Sequence, residues 1–436
     1  MNRSLRRGLA LATTVGLLAL SGACSSGNAK ATTNPNSSNS PAATAEVGIT
    51  ANSVTIGTHQ PLTGPAAPGY SKISAATSAY FAYVNAHGGV NGRQINYKVL
   101  DDGYNPANTT NDMHQLVLQD KVFAILNGLG TPTHSAVIDY LNSNKVPDLF
   151  VASGSTTWNQ PQKYPYLFAW QTDYTVEGKI LGNYIKNNMA NQKVCFFGQG
   201  DDFGADELAG VKQELGASGI VNAQNYTPTN TNVAPQITAL KAAGCQVVVA
   251  ATIPGFTALA LGTAFQVKFQ AQWIVSNVGA DYATVAGLLG RGAPLLQGVI
   301  SDSYLPLASD ASDPWITLFQ SINQQYNNNA PFDGNVEYGM AVGYQFVQAL
   351  AAAGPNPTRA GIVAAIEKGG WTGPGIVPLA YSSSNHSGYT GVRMAKISNG
   401  AAQFFGDTYT TDDGSGPVSV FSGAEGTVPP NGIPTD

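Results

Sequence analysis

The stretch GGVNGRQINYKVLDD, residues 88–102, shows how this chain of 436 residues folds. Two glycines at 88–89 end the helical pattern before them, because glycine is the usual residue just past the end of a helix. The dipeptide Asn91-Gly92 favours a tight turn, and the apolar and β-branched residues of 95–100 then predict a strand. The chain therefore passes from helix to strand within a few residues, as in one step of a βαβ unit.

The same alternation continues on both sides of this stretch. Strands are predicted at 54–57, 122–126 and 149–151, with helices over 69–86, 106–119 and from Pro132 to before Lys145. The pattern restarts with strands at 194–197, 220–223, 247–250 and 273–276, again separated by helix-length segments. Strands that alternate with helices form parallel sheets, and the chain exceeds one typical core. The sequence therefore predicts an α/β fold with two Rossmann-like parallel-sheet lobes.

The N-terminus has the pattern of an export signal. Arg3, Arg6 and Arg7 precede an apolar run over 8–20, and small residues follow. The run is too short to favour a permanent membrane anchor, so cleavage of a signal peptide over 1–23 is expected. Residues 20–24 resemble the bacterial lipobox, which implies lipidation of Cys24. An ordinary signal peptide that happens to end in cysteine is the alternative.

Low-complexity segments flank the predicted folded region. Residues 24–50 consist mostly of Ser, Asn, Thr, Ala, Gly and Pro, which bury too little apolar surface to fold and predict a flexible linker. Residues 407–436 are rich in Gly, Pro, Ser, Asp and Thr, and we expect a loosely held tail. The linker would hold the folded lobes near a membrane to which Cys24 is attached.

Composition excludes several classes of protein. The net charge is −5 and 11% of the residues are charged, so no basic stripe for nucleic acid is expected. No second long apolar run predicts a membrane span. A neutral polar surface favours a protein that binds a small molecule.

The cysteines predict one disulfide. With Cys24 assigned to the lipobox, Cys195 and Cys245 remain in an exported, oxidising setting, each near the start of a predicted strand. We expect them to be bonded, with two separate buried thiols as the alternative. No metal site is expected, because the two cysteines form no CxxC pair and the five histidines are scattered.

No motif in the sequence indicates catalysis. It contains no GxSxG, HExxH or complete GxxxxGK[ST] pattern, so no enzyme and no cofactor is predicted. His59 ends a predicted strand without a recognisable catalytic partner. Asp101 and Asp102 could form a pair of catalytic carboxylates. We favour the interpretation that they end a strand and accept hydrogen bonds from the following loop.

Five segments together resemble a known family. They are 61–65 (PLTGP), 88–93, 95–100, 101–102 and 105–106 (NP). In this combination they resemble the branched-chain amino acid binding proteins of ABC transporters, and the resemblance runs from about residue 53 to 400. It implies the type I periplasmic binding protein fold, in which three hinge crossings join two lobes.

The resemblance also implies where the chain crosses between lobes. We place the crossings near Trp170, Ser301 and Gly373. The first lobe then comprises 51–170 plus 302–373, and the second lobe comprises 171–301 plus 374–406.

Ligand residues of the first lobe are expected in the loops after its strands, because ligands of open parallel sheets bind beyond the carboxyl ends of the strands. The loop at 128–132 opens a helix and suits a carboxylate, although a plain strand-to-helix turn is the alternative. The resemblance implies that this loop and the next hold the ligand. By position, the residues are Gly130, Thr131, Ala152, Ser153, Gly154 and Ser155.

The second lobe departs from the family at three positions. Phe203 and Ile253 stand where the family often has tyrosine, and Asn277 stands where an acidic residue pairs with the ligand's ammonium. Asn277 offers no full negative charge, which weakens the case for a standard α-amino acid. Asp202 is a possible substitute for that acid, and Tyr70 is expected to stack on the apolar end of the ligand.

The resemblance implies a solute-binding protein that closes on a small polar ligand. The expected ligand is an amino acid or a related amide or carboxylate, and the expected partners are ABC transporter permease subunits and the membrane that holds the lipid anchor at the outer face of the cell. A receptor component that senses the ligand with the same fold is the alternative.

Overall fold

The computed structural model of the protein describes residues 46–371 and 373–435. The expected signal peptide, Cys24 and most of the expected linker lie outside these residues. Within them, no helix is long and apolar enough to cross a membrane.

The first lobe is built on a parallel sheet of five strands in the order β2-β1-β3-β4-β5. The strands are β1 (Ser53–Gln60), β2 (Gln94–Asp101), β3 (Ile125–Leu126), β4 (Asp148–Val151) and β5 (Leu167–Ala169). The helices between them are α1 (Ala67–Tyr70), α2 (Ile73–Ala86), α3 (Pro106–His114), α4 (Thr131–Ser135) and α5 (Ile138–Ser143). All the carboxyl ends of these strands therefore lie at one edge of the sheet.

The turn at residues 90–93 sets the pairing of β1 with β2. Val90 N donates to Arg93 O at 2.9 Å, and Arg93 N donates to Val90 O at 3.0 Å. Asn91 and Gly92 both have positive φ, at 49° and 78°, as a two-residue hairpin turn of this kind requires. The tight turn predicted from the Asn-Gly dipeptide is confirmed.

The second lobe repeats the pattern with β6 (Val194–Gln199), β7 (Ile220–Tyr226), β8 (Val247–Ala251), β9 (Gln272–Val275) and β10 (Ile300–Ser303). Its helices are α6 (Tyr174–Asn188), α7 (Asp202–Leu215), α8 (Ala234–Ala242), α9 (Pro254–Gln266) and α10 (Tyr282–Leu289). The strands are parallel in the order β7-β6-β8-β9-β10. A disulfide joins Cys195 to Cys245, because β6 and β8 are neighbours in the sheet.

The chain then returns to the first lobe and afterwards adds three strands to the second sheet. Helices α11 (Pro314–Tyr326) and α12 (Gly334–Ala352) pack on α2, and α13 (Arg359–Glu367) packs on α12. Strands β11 (Gly391–Ser398), β12 (Ala401–Thr410) and β13 (Ser419–Val420) extend the second sheet antiparallel beyond β10. The result is two separate sheets, one of five strands and one of eight.

Three aromatic side chains mark the crossings between the lobes. The ring of Trp170 lies 5.9 Å from that of Tyr304 and 5.4 Å from that of Tyr389, and the two tyrosine rings are 5.1 Å apart. All three are buried, so the crossing segments share one small apolar cluster.

The second crossing lies close to the predicted Ser301, and the third lies farther along the chain than the predicted Gly373. Ser301 lies inside β10, which continues to Ser303. The third crossing is at Tyr389 rather than near Gly373, because residues 374–388 run along the free edge of β5. There Tyr381 Oη donates to Ala169 O at 2.6 Å, and Ala169 N donates to His386 O at 3.0 Å. An edge strand needs such partners, so this segment belongs with the first lobe.

The tail over 407–436 is held more firmly than its composition suggested. Tyr80 Oη donates to Gly432 O at 2.8 Å, and Trp315 Nε1 donates to Gly426 O at 3.0 Å. Buried aromatic residues require acceptors for their O–H and N–H groups, and the carbonyl groups of the tail supply them. The expectation of a loosely held tail is wrong for the described residues.

The folded part also begins earlier than residue 51. Glu46 Oε2 accepts a hydrogen bond from Arg359 N at 3.2 Å, and Ile49 bridges to Val54. Residues 46–50 of the predicted linker therefore belong to the first lobe.

Candidate functional site

A cavity of about 360 Å³ lies where the carboxyl ends of the two sheets face each other. This volume is within the range of about 300–1,000 Å³ that is typical of small-molecule pockets. The predicted ligand residues that line it are Tyr70, Gly130, Thr131 and Ala152 from the first lobe and Phe203, Ile253 and Asn277 from the second. A molecule in the cavity would therefore contact both lobes.

The other predicted ligand residues lie beside the cavity. Ser153 is fully buried behind Thr131, with their Oγ atoms 2.7 Å apart, because successive residues of an extended segment point to opposite sides. Gly154 O accepts from Tyr174 N at 2.7 Å, and Ser155 Oγ accepts from Thr157 N at 3.2 Å. Asp202 is exposed at the start of α7 and does not supply the missing acid.

Cross-lobe hydrogen bonds close the cavity on two sides. Tyr70 Oη donates to Val278 O at 2.6 Å, and Gln199 Nε2 donates to Tyr104 Oη at 3.2 Å. Tyr104 was not identified from the sequence, although it follows β2 at the same sheet edge as the predicted loops. These bonds connect the two lobes directly in the described arrangement.

A second aromatic residue missed by the sequence analysis is Tyr174, which begins α6 and lines the cavity. Its ring lies 4.5 Å from the ring of Phe203, and its phenol lies near the hydroxyls of Ser153 and Thr131. Phe203 is therefore held by packing, and the Thr131 hydroxyl is held by that of Ser153.

The polar centre of the cavity is acidic. Asp302, on β10, lines the cavity, and its Oδ1 accepts from Asn277 Nδ2 at 3.0 Å. Glu177, on α6, accepts from Asn277 N at 2.8 Å and from Ser276 Oγ at 3.1 Å. The Glu177 carboxyl also lies beside those of Asp302 and Glu207. We call Glu177, Glu207 and Asp302 the carboxyl cluster.

Burial raises the pKa of all three carboxyls, and the charge of Glu177 raises the pKa of Glu207 and Asp302 further. Neighbouring carboxyls disfavour each other's ionised form. Apart from these carboxyl contacts, Asp302 Oδ2 and both oxygens of Glu207 have no donor among the described residues. The cluster therefore has acceptor atoms that remain to be satisfied.

The rest of the cavity wall adds negative charge. Asp281, Asp333 and Glu337 also line it, and Lys72 pairs with Asp333 from outside the lining. Glu337 is buried, which raises its pKa, and its Oε1 has no partner among the described residues. None of the described residues that line the cavity is Lys, Arg or His. Such a wall favours a ligand with a positive charge or several hydrogen-bond donors.

The acids do not form a metal site. Across 46–371 and 373–435, no three His, Cys, Asp or Glu side chains are placed to hold a metal ion.

A chain of two aspartates and two histidines lies under the loop at residues 128–132, which we call the ligand loop because a ligand is expected there. Asp102 Oδ2 is 2.7 Å from His59 Nδ1, His59 Nε2 is 3.0 Å from His134 Nδ1, and His134 Nε2 is 2.8 Å from Asp148 Oδ2. All four residues are buried, and we call them the histidine chain. Burial lowers the pKa of His59, and the hydrogen bond that His59 Nδ1 donates to Asp102 opposes this effect. The sequence showed no partner for His59, because its partners lie in other segments of the chain.

The ligand loop rests directly on the histidine chain. Leu129 N donates to His59 O at 3.3 Å, and His134 N donates to Gly130 O at 3.0 Å. A Cβ at Gly128 would lie 2.5 Å from both His59 Nε2 and His134 Nδ1, so only glycine fits there. The histidine chain thus fixes the backbone that presents Gly130 and Thr131 to the cavity.

Comparisons with known proteins agree with this architecture. The family model described as periplasmic binding protein matches residues 53–402. A Leu/Ile/Val-binding protein homolog from Brucella melitensis is 25% identical over 201 residues, which is 45% of this chain and 53% of that protein. The match thus spans about half the length of that relative.

Solved structures share the fold at low sequence identity. A fatty acid ABC transporter substrate-binding protein from Thermomonospora curvata is 23% identical, with a TM-score of 0.75 over 87% of this chain and 98% of that one. A branched-chain amino acid ABC transporter protein from Thermus thermophilus, solved with bound valine, is 21% identical, with a TM-score of 0.72 over 83% and 97%.

Proposed function

Because this chain belongs to the periplasmic binding protein family, we propose that it captures a small amino-bearing ligand between its lobes and delivers it to an ABC transporter permease. The family consists of substrate-binding proteins rather than enzymes. The observation that carries the proposal is the cavity between the two sheets, to which both lobes contribute polar groups.

The chemistry of the cavity supports an amino acid or a related amide as the ligand. An ammonium group placed at Asp302 would satisfy the oxygen that has no donor and would offset the negative charge of the carboxyl cluster. Asn277 then acts by orienting Asp302 rather than by carrying the charge itself. The hydroxyl of Thr131 and the rings of Tyr70 and Phe203 remain for the other end of the ligand.

Hinge closure is the proposed mechanism. The crossings share the cluster of Trp170, Tyr304 and Tyr389, and the contacts of Tyr70 and Tyr104 across the lobes must break when the cavity opens. A ligand favours the closed form only if it binds that form more tightly than the open one, and simultaneous contact with both lobes provides this difference.

Export and anchoring complete the proposal. A signal peptide over 1–23 and a lipid on Cys24 would hold the folded lobes at the outer face of the membrane, within reach of a permease. Mass spectrometry of the protein purified from membranes tests this, since a mature N-terminus other than a lipidated Cys24 would contradict it.

The proposed function is tested with a thermal-shift screen of the purified protein against amino acids, amides, ureas, alkylamines and small carboxylates. A ligand that binds only the native state raises the melting temperature, by an amount that grows with concentration. We expect a shift with an amino-bearing compound and compaction in small-angle scattering when it is saturating. A shift with carboxylates alone would contradict the assignment of an ammonium to Asp302, and binding without compaction would contradict hinge closure.

A further inference from the structure

The cavity extends well beyond the residues around Asp302. One extension runs between the loop that follows β10 and the hairpin of β11 and β12. We call it the side arm, and its lining residues are Pro306, Leu307, Ala308, Phe332, Ile397, Ala401 and Ala402. The sequence analysis assigned none of them to a site.

The side arm is apolar along its walls and polar only at its ends. None of its seven side chains carries a polar atom, whereas Asp302 lies toward the centre of the cavity. At the rim, Ser309 Oγ donates to Ala402 O at 3.3 Å and ties the two walls together. Tyr282, Ile397 and Gly400 also line a second hollow with Ala293, Pro294 and Gln297. The arm therefore borders this second hollow.

Walls of this kind suit an apolar chain better than ordered water. A bound water needs about two to four polar partners, and these side chains offer none. An aliphatic chain that leaves solvent and enters the arm gains free energy with every methylene group. The continuity of the arm with the acidic centre places the chain and the amino group on one molecule.

We propose that the side arm holds an unbranched apolar chain of the ligand, so that the preferred ligand is longer than leucine or valine. The inference rests on the proposed function, because the amino group is assigned to Asp302. It adds the length and the shape of the ligand, which the acidic centre does not specify.

The experiment is isothermal titration of the purified protein with straight-chain 2-amino acids of four to ten carbons. Each methylene that enters the arm is expected to tighten Kd by about three- to fourfold. A tightening that continues beyond six carbons supports the inference. A maximum at four to six carbons, with weaker binding of longer members, would overturn it.

Variants that fill the arm from its two walls make the test specific. Ala308→Phe and Ala401→Phe are each expected to lose about tenfold or more in affinity for the ten-carbon member while they bind the four-carbon member as the unmodified protein does. Ala311→Phe is the matched control, since Ala311 is exposed in the same loop and lies outside the cavity lining. Equal binding of the long member by all variants would overturn the inference.

Two failures can be told apart. If no member of the series binds, the proposed function fails together with the inference. If all members bind with similar Kd, the proposed function stands and the side arm does not hold the chain. Melting temperatures of the free variants show whether each is folded. Because Ala308→Phe and Ala401→Phe lie on different walls, the test remains valid if one of them does not fold.

Discussion

The two lobes bury carboxyl groups in opposite ways. In the first lobe, Asp102 and Asp148 each have an imidazole within 2.8 Å, and the two imidazoles contact each other. In the second, Glu177 lies beside two other carboxyls, Glu207 and Asp302, and no basic side chain lines the cavity among the described residues. Asp102 and Asp148 thus have imidazole partners, whereas the members of the carboxyl cluster have carboxyl neighbours.

This difference indicates different roles for the histidine chain and the carboxyl cluster. The histidine chain forms three hydrogen bonds in a row beneath the ligand loop and fixes its backbone. The carboxyl cluster depends on protons taken from solvent, and a cationic ligand can replace them. The histidine chain thus positions the loop at residues 128–132, and we propose that the carboxyl cluster attracts the ligand.

The largest expected effect comes from breaking the histidine chain. The substitution His134→Ala leaves Asp148 buried without its imidazole partner, and loss of one member of a buried pair costs about 3–5 kcal/mol of unfolding free energy. Urea denaturation measures the change. His87→Ala, at an exposed position after α2, is the control and should change stability by less than about 0.5 kcal/mol. Similar losses of unfolding free energy in both variants would mean that the histidine chain makes no specific contribution to stability.

An intermediate effect is expected from Asp302→Asn. A charged hydrogen bond to the ligand is replaced by a neutral one, a loss of about 1–2 kcal/mol or roughly tenfold in Kd. The free protein should not lose stability, because the substitution removes one acid from the carboxyl cluster. Calorimetric titration and thermal melting of the same sample separate the two results. Unchanged affinity would show that the cluster does not contact the ligand.

The smallest expected effect is on the pH dependence of stability. The pKa of Glu207 is raised above 4.5 by burial first and by the charge of Glu177 second. Between the pKa of Glu207 in the unfolded protein and its higher pKa in the folded protein, the folded state binds more protons. The free energy of unfolding therefore falls as pH rises through this interval. Glu207→Gln cannot ionise, and its unfolding free energy should exceed that of the unmodified protein by about 1 kcal/mol at pH 8.

The control for this measurement is Glu214→Gln, on the same helix but paired with the exposed Lys186. The gain in unfolding free energy over the unmodified protein should be larger at pH 8 than at pH 5 for Glu207→Gln. For Glu214→Gln this difference should be the same at both pH values. No change with pH for either variant would show that Glu207 ionises as freely when folded as when unfolded.

Local patterns were enough to predict most of the fold. Turn chemistry at Asn91-Gly92, the helix start at Pro106 and the apolar runs act over a few residues, and the structure has each of them where it was expected. The third crossing was misplaced, because residues 374–388 follow the edge of β5, a partner more than 200 residues away in the sequence. Edge pairing of this kind leaves no local pattern.

The sequence by itself determined that the loops with Gly130 and Thr131 follow the strands at one edge, because every parallel strand presents its carboxyl end at the same edge. Only the tertiary structure decided which acidic groups meet beside that edge. Glu177, Glu207 and Asp302 come from two helices and a strand, and each alone reads as an ordinary residue of its element. Their shared burial makes them a cluster, and burial depends on how distant segments pack.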